Sequence, residues 1–349
     1  MSIFVGIVGA LGYTGAELIR IICNHPEFEL KFATSRQEYG KKLMDIFGHL
    51  KDTKEGEIEI IHPDRCREID VDLVFLAVPH KTAMNFAPIF LDKGIKVVDL
   101  SADFRFSDPN IYEEWYQTKH LHKNLLNKAV YGLIEIYKNE IKKAHLVANP
   151  GCYPTSIILG LYPALKNNLI NPSPILIDSK SGTSGAGRAA KLGVIFSEVY
   201  DNFRPYNVAG GHRHTPEIEE QLSKIANTNI YVSFNPHLLP IQRGLISTIY
   251  VTLKNNISFD KLYKTYYEFS TKNRWIRLYP RDRLIETRFV RGTMYCDISL
   301  CFDQRTNTTI IISCIDNICR GASGQAVANA NLMFGLEEDT GLRNLALIP

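Results

Sequence analysis

The chain has 349 residues, of which 45% are hydrophobic, and its formal net charge is +3 at pH 7. This length favours two domains, and the interspersed acidic and basic residues argue against the concentrated basic stripe of a nucleic-acid-binding protein. No apolar run reaches the roughly 18 residues of a membrane-spanning helix, and the apolar N-terminus lacks the basic start and cleavage site of a signal peptide. We therefore expect a cytoplasmic protein with no nucleic-acid or membrane partner.

The first 150 residues alternate between strand-like and helical patterns. Short apolar runs predict strands at 2–8, 28–34, 57–62, 72–78, 95–100 and 144–150, and helical spacing predicts helices at 13–25 and 81–94. Near-continuous apolar strands separated by helices are typical of a parallel sheet that is covered on both faces. This part of the sequence therefore predicts an α/β, Rossmann-like domain.

The pattern changes after about residue 155. Long β-branched runs at 244–255, 293–303 and 307–316 mix polar with apolar residues, as strands do in an antiparallel sheet with one wetter face. Helical spacing predicts helices at 156–167, 188–201, 216–226, 258–272 and 324–336. We expect an α+β second domain with a mostly antiparallel or mixed sheet.

Three glycines lie in the first predicted turn between a strand and a helix. The stretch GIVGALGYTGAEL spaces them as Gly9-x-x-Gly12-x-x-Gly15. Glycines let the backbone approach a pyrophosphate, and the start of the next helix supplies N–H donors. The spacing differs from G-x-G-x-x-G, and a tight packing turn is the alternative. The position in the first βα unit nevertheless favours a dinucleotide site.

The end of the second predicted strand indicates which dinucleotide is bound. NAD-binding units place an acidic residue there to hold the ribose diol, whereas this chain has Ser35 and Arg36. A guanidinium forms paired hydrogen bonds with a phosphate, so the sequence favours NADP over NAD. The alternative is that Arg36 is only a solvated surface residue.

Cys152 is the cysteine whose surroundings point to chemistry. It follows the strand predicted at 144–150, where α/β sheets bind ligands, and Pro154 fits the first turn of a following helix. A helix N-terminus favours the nucleophilic thiolate over the thiol. A small residue buried in a packed turn is the alternative.

The other cysteines give no comparable signal. Cys296 and Cys301, like Cys314 and Cys319, are separated by four residues and lie in or beside strand-like runs. Structural zinc sites usually have tighter knuckles in turns. We therefore expect buried core thiols rather than a zinc site, and no disulfide in a reducing compartment.

The stretch NVAGGHRHTPEIEE places two histidines before a predicted helix. His212 and His214 flank Arg213, and Thr215 and Pro216 have the residue types of an N-cap and a first helical position. Such a cationic loop can hold a general acid or base beside a thiolate. A metal site would need a third ligand, which the stretch does not supply. Solvated histidines before a capped helix are the alternative.

Two further stretches combine small residues with cationic groups. DSKSGTSGAGRAAK contains Lys180 and Arg188, and DLSADFRF, which follows a predicted strand, contains Arg105. Both suit contact with an anionic substrate despite the nearly neutral net charge. The alternatives are a flexible surface loop for the first stretch and a salt bridge between Arg105 and Asp103 for the second.

Together these motifs resemble those of the N-acetyl-γ-glutamyl-phosphate reductases, within the aspartate-semialdehyde-dehydrogenase-like group. GYTGAEL, LSADFR, NPGCYPT, SKSGTSGAGR, GHRHTPEIEE and GASGQAVANANLMFGL occur in this order over essentially the whole chain, and NPGCYPT with GHRHTPEI is the specific combination. The resemblance implies an NADPH-dependent oxidoreductase of arginine biosynthesis that reduces its acyl phosphate through a cysteine thioester. It also implies a homodimer or homotetramer, with an NADP-binding domain at 1–150 and 320–349 and a catalytic and dimerisation domain at 151–319.

The resemblance also assigns roles to individual residues. It makes Cys152 the nucleophile and His214 the general acid/base, with His212 as the second candidate. The substrate-binding residues that it implies are Arg105, Tyr206, Arg188 and Glu217. The NADP-binding residues that it implies are Gly9, Gly12, Tyr13, Thr14, Gly15, Ser35, Arg36, Ser181, Gly182, Asn317, Gly321 and Gln325. It implies no metal ligand.

Two alternatives stay open beside this interpretation. A reductase of a longer or carrier-linked acyl phosphate, as in lysine synthesis, would carry similar reactive motifs. A catalytically silent NADP-binding or redox-sensing protein would keep the fold and leave Cys152 an ordinary thiol. Leu11 stands where the family usually has a small hydroxyl residue, and Met294 where a small polar residue or Asn is expected. Leu11 could remove one side-chain contact with a phosphate, and Met294 could alter substrate contacts or a dimer surface.

Overall fold

The structure, a computed structural model, describes residues 2–348. The chain divides into two compact units: the first unit is Met1–Pro150 with Ala322–Arg343, and the second unit is Gly151–Gly321 with Asn344–Pro349. The domain bounds predicted from the sequence, 1–150 with 320–349 and 151–319, stay a prediction.

The first unit is built on seven strands and seven α-helices within its described residues. The strands are β1 (Ile3–Val8), β2 (Phe28–Thr34), β3 (Ile60–Ile61), β4 (Leu73–Leu76), β5 (Lys96–Asp99), β6 (Val130–Tyr131) and β7 (Leu146–Ala148). The helices are α1 (Tyr13–Ile22), α2 (Leu43–Ile46), α3 (Ala87–Leu91), α4 (Pro109–Tyr116), α5 (Lys123–Leu126), α6 (Ile134–Ile141) and the C-terminal α11 (Gly324–Met333).

The sheet of the first unit is parallel throughout, in the order β3-β2-β1-β4-β5-β7-β6. Its central strands read as apolar runs because both faces are covered, and Val5, Ile7, Val74 and Phe75 are all fully buried. The strand order reverses between β1 and β4, which is the place where open α/β sheets bind ligands. The predicted Rossmann-like domain is confirmed.

The second unit is built on seven strands and four α-helices within its described residues. The strands are β8 (Ile175–Gly182), β9 (Arg204–Pro205), β10 (Val232–Leu239), β11 (Leu245–Val251), β12 (Ile276–Leu278), β13 (Cys296–Asp303) and β14 (Thr308–Ile315). The helices are α7 (Cys152–Lys166), α8 (Phe196–Val199), α9 (Thr215–Ala226) and α10 (Phe259–Lys272).

The sheet of the second unit is mixed, in the order β12-β13-β14-β11-β8-β10-β9. The pairs β8–β10 and β12–β13 are parallel, and the other neighbours are antiparallel. Buried and more exposed residues alternate along β8 and β11, so one face of the sheet forms the core and the other is wetter. The predicted α+β class with a mixed sheet is confirmed.

Several predicted elements differ from the structure. The helix predicted at 188–201 is wrong, because only a 3₁₀ turn at Leu192–Val194 and the short α8 form there. Leu192 and Phe196 are 75% and 76% exposed, so the apolar spacing has no core to pack against in this chain. Strands β8 and β10 were not predicted, since the small polar residues at the end of β8 read as a loop.

The cysteines of the two pairs considered as zinc ligands are free thiols. Cys296, Cys314 and Cys319 are buried free thiols, as predicted, whereas Cys301 is partly exposed. Within residues 2–348, no group of three or more His, Cys, Asp and Glu side chains could hold a metal ion. None of the helices in that range has the length and apolar character needed to cross a membrane.

Candidate active site

Cys152 is the first residue of the fifteen-residue helix α7. Gly151 is its N-cap in an extended conformation, and no side chain in the described chain caps this helix end. The N–H groups of the first turn therefore point toward the start of the helix, where the positive end of its dipole lies. The predicted position of Cys152 at a helix N-terminus is confirmed, and its side chain is half-buried.

Glu217 joins the start of helix α9 to the start of helix α7. Its side chain is 1% exposed, and its Oε1 accepts a hydrogen bond from the backbone N–H of Gly151 at 3.0 Å. Glu217 lies in the first turn of α9, and His214 is the N-cap of that helix, rather than Thr215 as predicted. The carboxylate therefore holds the segment carrying His214 to the segment carrying Cys152, and a substrate contact by Glu217 stays a prediction.

Tyr153, the residue after Cys152, lies among three of the predicted polar side chains. Its ring centroid lies 5.4 Å from that of His212 and 6.0 Å from that of His214. Its hydroxyl lies 3.0 Å from the hydroxyl of Tyr206. Burial raises the pKa of Tyr206 to about 12, so this hydroxyl keeps its proton at neutral pH. Sequence reasoning missed Tyr153, because an aromatic residue in a helix reads as core.

The two histidines have different surroundings. Nδ1 of His212 accepts a hydrogen bond from the backbone N–H of His214 at 3.0 Å, which puts the ring proton of a neutral His212 on Nε2. Burial, and then the neighbouring Arg213, lower the pKa of His212 to about 4. His212 is therefore a neutral backbone acceptor at physiological pH.

Gly321 lies against Cys152 within the second unit. A Cβ at position 321 would lie 2.6 Å from the Cβ of Cys152. The N–H of Gly321 donates to the carbonyl oxygen of Asp316 at 2.9 Å, which closes the chain into a tight loop after β14. Gly321 was predicted from the resemblance as an NADP-binding residue, and the contact shown here is with the first residue of α7.

Of the other site residues predicted in the second unit, Asn317, Ser181 and Gly182 contact or lie within its own strands and loops. Asn317 accepts a hydrogen bond from a backbone N–H of the loop before β11 and donates to Ser184 Oγ at 2.9 Å. Ser181 and Gly182 are buried at the end of β8, and Arg188 is exposed in the loop that follows. Their contacts with cofactor or substrate stay predictions.

The glycine turn of the first unit has two kinds of glycine. Gly9 has φ +87°, and a Cβ there would lie 2.5 Å from the carbonyl oxygen of Ala77. A Cβ at Gly15 would lie 2.4 Å from the carbonyl oxygen of Ala10. At Gly12 the nearest atom to an added Cβ is 3.9 Å away. Gly9 and Gly15 thus allow the tight turn, while Gly12 leaves open space beside the start of α1.

These residues fit a dinucleotide. Gly12 is the N-cap of the ten-residue helix α1, and in the described chain no side chain caps that end, so its N–H groups face the open space. Such an end binds a phosphate group. Tyr13 and Thr14 form the first turn of α1, and Gln325 is fully buried in α11.

Thr34 is a residue that sequence reasoning missed in this turn. It is fully buried at the end of β2, and its Oγ1 accepts a hydrogen bond from the N–H of Gly9 at 3.1 Å. It therefore fixes the turn to the strand that leads into Ser35 and Arg36. Ser35 Oγ accepts hydrogen bonds from two following backbone N–H groups, and Arg36 is exposed.

Arg105 is buried in the first unit rather than extended into solvent. Its Nε donates to the carbonyl oxygen of Asn149 at 2.8 Å, and its Nη2 donates to that of Leu100 at 2.9 Å. These two bonds fix the guanidinium against the backbone of the first unit. Asp103, its suspected ion-pair partner, accepts hydrogen bonds from backbone N–H groups and from Tyr112.

Two family models cover most of the chain. The model described as "Semialdehyde dehydrogenase, NAD binding domain" matches residues 4–144. The model described as "Semialdehyde dehydrogenase, dimerisation domain" matches residues 152–317. The two matches follow the division of the chain into its two units.

Solved structures show the same fold at low identity. Aspartate semialdehyde dehydrogenase II from Vibrio cholerae aligns with a TM-score of 0.72 and 18% identity, over 96% of this chain and 99% of that one. Aspartate semialdehyde dehydrogenase with NADP from Candida albicans aligns with a TM-score of 0.68 and 17% identity, over the same shares.

Curated relatives are much closer in sequence. An N-acetyl-gamma-glutamyl-phosphate reductase from Desulfotalea psychrophila is 49% identical over 348 residues, which is 99% of each chain. One from Pelotomaculum thermopropionicum is 47% identical over 349 residues, which is 100% of each chain. Since this similarity extends over both units and the sequence motifs of the site, the chain belongs to the N-acetyl-γ-glutamyl-phosphate reductase family.

Proposed function

We propose that the protein reduces N-acetyl-γ-glutamyl phosphate to N-acetylglutamate semialdehyde with NADPH and releases phosphate, as a step of arginine biosynthesis. Membership of the family makes the chain an oxidoreductase that acts on an acyl phosphate. The observation that carries the proposal is the position of Cys152 at the uncapped start of α7, with His212 and His214 packed around the adjacent Tyr153.

The first chemical step is capture of the substrate by sulfur. The thiolate of Cys152 attacks the carbonyl carbon of the acyl phosphate, forming a C–S bond. The bond from that carbon to the phosphate oxygen breaks, and inorganic phosphate leaves with the electron pair. The product is a thioester on Cys152, which divides one difficult reduction into two easier steps. The N-terminus of α7 supports the negative charge of the thiolate.

The second step converts the thioester to the aldehyde. When bound, NADPH would supply the hydride for this reduction. His214 donates a proton to the developing alkoxide and takes it back when the hemithioacetal collapses, which breaks the C–S bond and restores the thiolate. The net reaction consumes one proton and releases phosphate and aldehyde, so atoms and charge balance.

The assignment of acid/base work to His214 rests on what His212 already does. The Nδ1 of His212 is used by the backbone of His214, and the lowered pKa of His212 makes it a poor proton carrier near pH 7. His214 is the N-cap of α9 and lies beside Tyr153. Glu217 then holds this helix start against the N-terminus of α7.

NADP rather than NAD is our choice of cofactor. The open backbone at Gly12 and the start of α1 would hold the pyrophosphate, and the exposed Arg36 would pair with the 2′-phosphate. The structurally similar enzyme from Candida albicans is described as a complex with NADP. Ser35 would contact the same ribose, although its hydroxyl is partly used by the local turn.

Anionic parts of the substrate would be bound by Arg105, Arg188 and Tyr206. Arg105 is held in the first unit by two backbone carbonyl oxygens, and its guanidinium is the kind of group that binds a carboxylate or a phosphate. Arg188 is exposed in the glycine- and serine-rich loop after β8, and Tyr206 offers a hydroxyl beside Tyr153. These groups match a substrate that carries both a carboxylate and an acyl phosphate.

A second copy of the chain would cover the wetter face of the second unit, in a homodimer or a homotetramer. Leu176 and Tyr250 lie on that face and are 46% and 37% exposed, and Leu192, Phe196 and Tyr200, elsewhere in the same unit, are more exposed still. Exposed apolar groups gathered in one region mark an interaction surface. The family model that matches this unit is described as a dimerisation domain.

The decisive experiment is turnover in the reverse direction, with N-acetylglutamate semialdehyde, phosphate and NADP⁺. Cys152→Ser should abolish phosphate-dependent reduction of NADP⁺ and leave NADPH binding intact. Cys301→Ser, at a second partly exposed cysteine, is the matched control and should keep wild-type turnover. Equal or better turnover of a longer aminoadipate-type substrate would replace our choice of substrate, and wild-type activity of Cys152→Ser would remove the thioester mechanism.

A further inference from the structure

Four buried serines form a hydrogen-bonded group beneath helix α7. Ser179, Ser247 and Ser313 lie directly opposite one another on the adjacent strands β8, β11 and β14. Ser156 contributes the fourth hydroxyl from α7. All four side chains are fully buried. We refer to these four residues as the serine row.

The hydroxyls of the serine row are bonded to one another. Ser156 Oγ lies 3.0 Å from Ser247 Oγ and 3.1 Å from Ser313 Oγ, and Ser179 Oγ donates to Ser247 Oγ at 2.8 Å. A buried hydroxyl without a partner is costly, and a hydrogen bond weakens steeply when its length or angle changes. A small shift of the helix would therefore break hydrogen bonds of the serine row, whereas contacts between apolar groups depend less steeply on direction.

Helix α7 packs closely on the sheet one turn further along. A Cβ at Gly160 would lie 3.1 Å from Ile249 Cδ1 and 3.3 Å from Ser313 Cβ. Small residues at positions 156 and 160 thus bring this face of the helix onto the strands. Cys152, four residues before Ser156, lies on the same helical face, since residues four apart are neighbours along a helix.

The strands joined by the serine row also lead to the surroundings of Cys152. Strand β14 continues into the loop that ends at Gly321, which lies against Cys152. Strand β8 continues past Ser179 to Ser181 and Gly182, which are buried at its end. A shift of α7 relative to β8 and β14 would therefore move the thiol relative to both of these segments.

We propose that the serine row is a set of positioning residues for Cys152. By fixing the rotation and the translation of α7 on β11 and β14, with Ser179 of β8 bonded to Ser247, it sets the direction in which the thiol points. The inference rests on the proposed role of Cys152 as the nucleophile. The thiol is displaced when the row is lost, because the helix can then rotate toward an apolar packing optimum. A displacement of about 1 Å is enough to cost a large factor in rate.

The test compares three variants with the wild type. Ser156→Ala removes the helix's hydroxyl, and the quadruple variant with Ala at 156, 179, 247 and 313 removes the network without leaving an unpaired hydroxyl. Tyr266→Phe is the control, because its hydroxyl donates to the carbonyl oxygen of Gly160 at 2.5 Å and so contacts the same helix away from the row. All three are compared in melting temperature, kcat, KM and the pH profile of alkylation of the Cys152 peptide, read by mass spectrometry.

We expect Ser156→Ala and the quadruple variant to lower kcat by about tenfold or more at similar KM, and to change the Cys152 alkylation profile. Tyr266→Phe should lower the melting temperature and leave that profile unchanged. An unchanged profile and kcat in Ser156→Ala, with only a lower melting temperature, would overturn the proposal, and this variant decides if the quadruple one does not fold. Alkylation needs no substrate, so the role of the row is tested even if the enzyme proves to act on another acyl phosphate.

Discussion

Gly321 leaves no room for a side chain beside Cys152. An added Cβ would lie 2.6 Å from the Cβ and 3.0 Å from the Cα of Cys152, and so would overlap the backbone at the start of α7. Unlike Gly9, Gly321 has no positive φ, so it is required here for space rather than for backbone conformation. The loop after β14 and the start of α7 are thus held at their minimum separation.

The first prediction concerns Gly321→Ala. The added methyl group must push either the loop or Cys152 aside, and we expect kcat to fall by about a hundredfold because the thiol is misplaced. The rate at which Cys152 is alkylated should change in parallel. Gly48→Ala is the control, since no atom lies within 4 Å of its added Cβ. A Gly321→Ala enzyme with normal kcat would show that the contact has no influence on the nucleophile.

The second prediction separates two roles for His212. The side-chain oxygen of Asn lies where Nδ1 lies in His, whereas that of Gln lies nearer to Nε2. If His212 acts as an acceptor for the N–H of His214, His212→Asn should keep most of the wild-type kcat and His212→Gln should not. If Nε2 of His212 carries the proton, the order is reversed.

His214→Asn completes this comparison. It should lower kcat by at least about a hundredfold, which is the usual contribution of a general acid or base. The lost step is proton transfer, so Cys152 should still form its thioester, and a burst of about one phosphate per enzyme should remain in pre-steady-state assays with excess substrate. A His214→Asn enzyme that is faster than His212→Asn in steady state would exchange the two assignments.

The third prediction tests cofactor choice at Arg36. Arg36→Ala should weaken the binding of NADPH by about tenfold or more and should hardly change the binding of NADH. Only NADPH offers a 2′-phosphate for a charge-assisted hydrogen bond. Dissociation constants from fluorescence titration at fixed ionic strength measure the effect. Arg65→Ala removes another exposed arginine of the same unit and should leave both constants unchanged. Equal losses for the two cofactors after Arg36→Ala would refute the assignment.

What the sequence predicted well is local. The glycine turn, the helix that begins at Cys152 and the histidine pair before α9 each lie within about a dozen residues, where residue type and spacing carry the signal. The N-cap of α9 was predicted one residue too late. Thr215 has the better capping side chain, but it is the first helical residue and His214 is the N-cap. The fold class followed from the change in strand pattern near residue 155.

What the sequence did not predict depends on strand register. The serine row exists because three strands align Ser179, Ser247 and Ser313 directly opposite one another. Nothing in the three separate stretches shows that alignment. The hydrogen bond from Gly9 to Thr34 and the contact of Gly321 with Cys152 likewise join segments that are distant in the chain.

The last prediction concerns His25, which is buried beneath the C-terminal segment of the first unit. Its Nδ1 accepts hydrogen bonds from the backbone N–H groups of Glu27 and Phe28 at 3.2 and 3.0 Å. Its Nε2 therefore carries the proton and donates to Asn331 Oδ1 at 3.0 Å. Burial lowers the pKa of His25 below its usual value of 6.5. A second proton would face two N–H donors, so the folded protein holds this ring neutral.

Stability should therefore fall as the pH drops below about 6.5, because the unfolded chain then binds a proton that the folded chain excludes. The loss from this one group is at most about 1.4 kcal/mol per pH unit, until the pH reaches the lowered pKa of the folded state. His25→Gln should reduce the slope of unfolding free energy against pH between 5 and 6.5, as measured by urea denaturation. His62→Gln, at a partly exposed histidine of the same unit, serves as the control. An unchanged slope in His25→Gln would show that the neutral ring is not what links folding to pH.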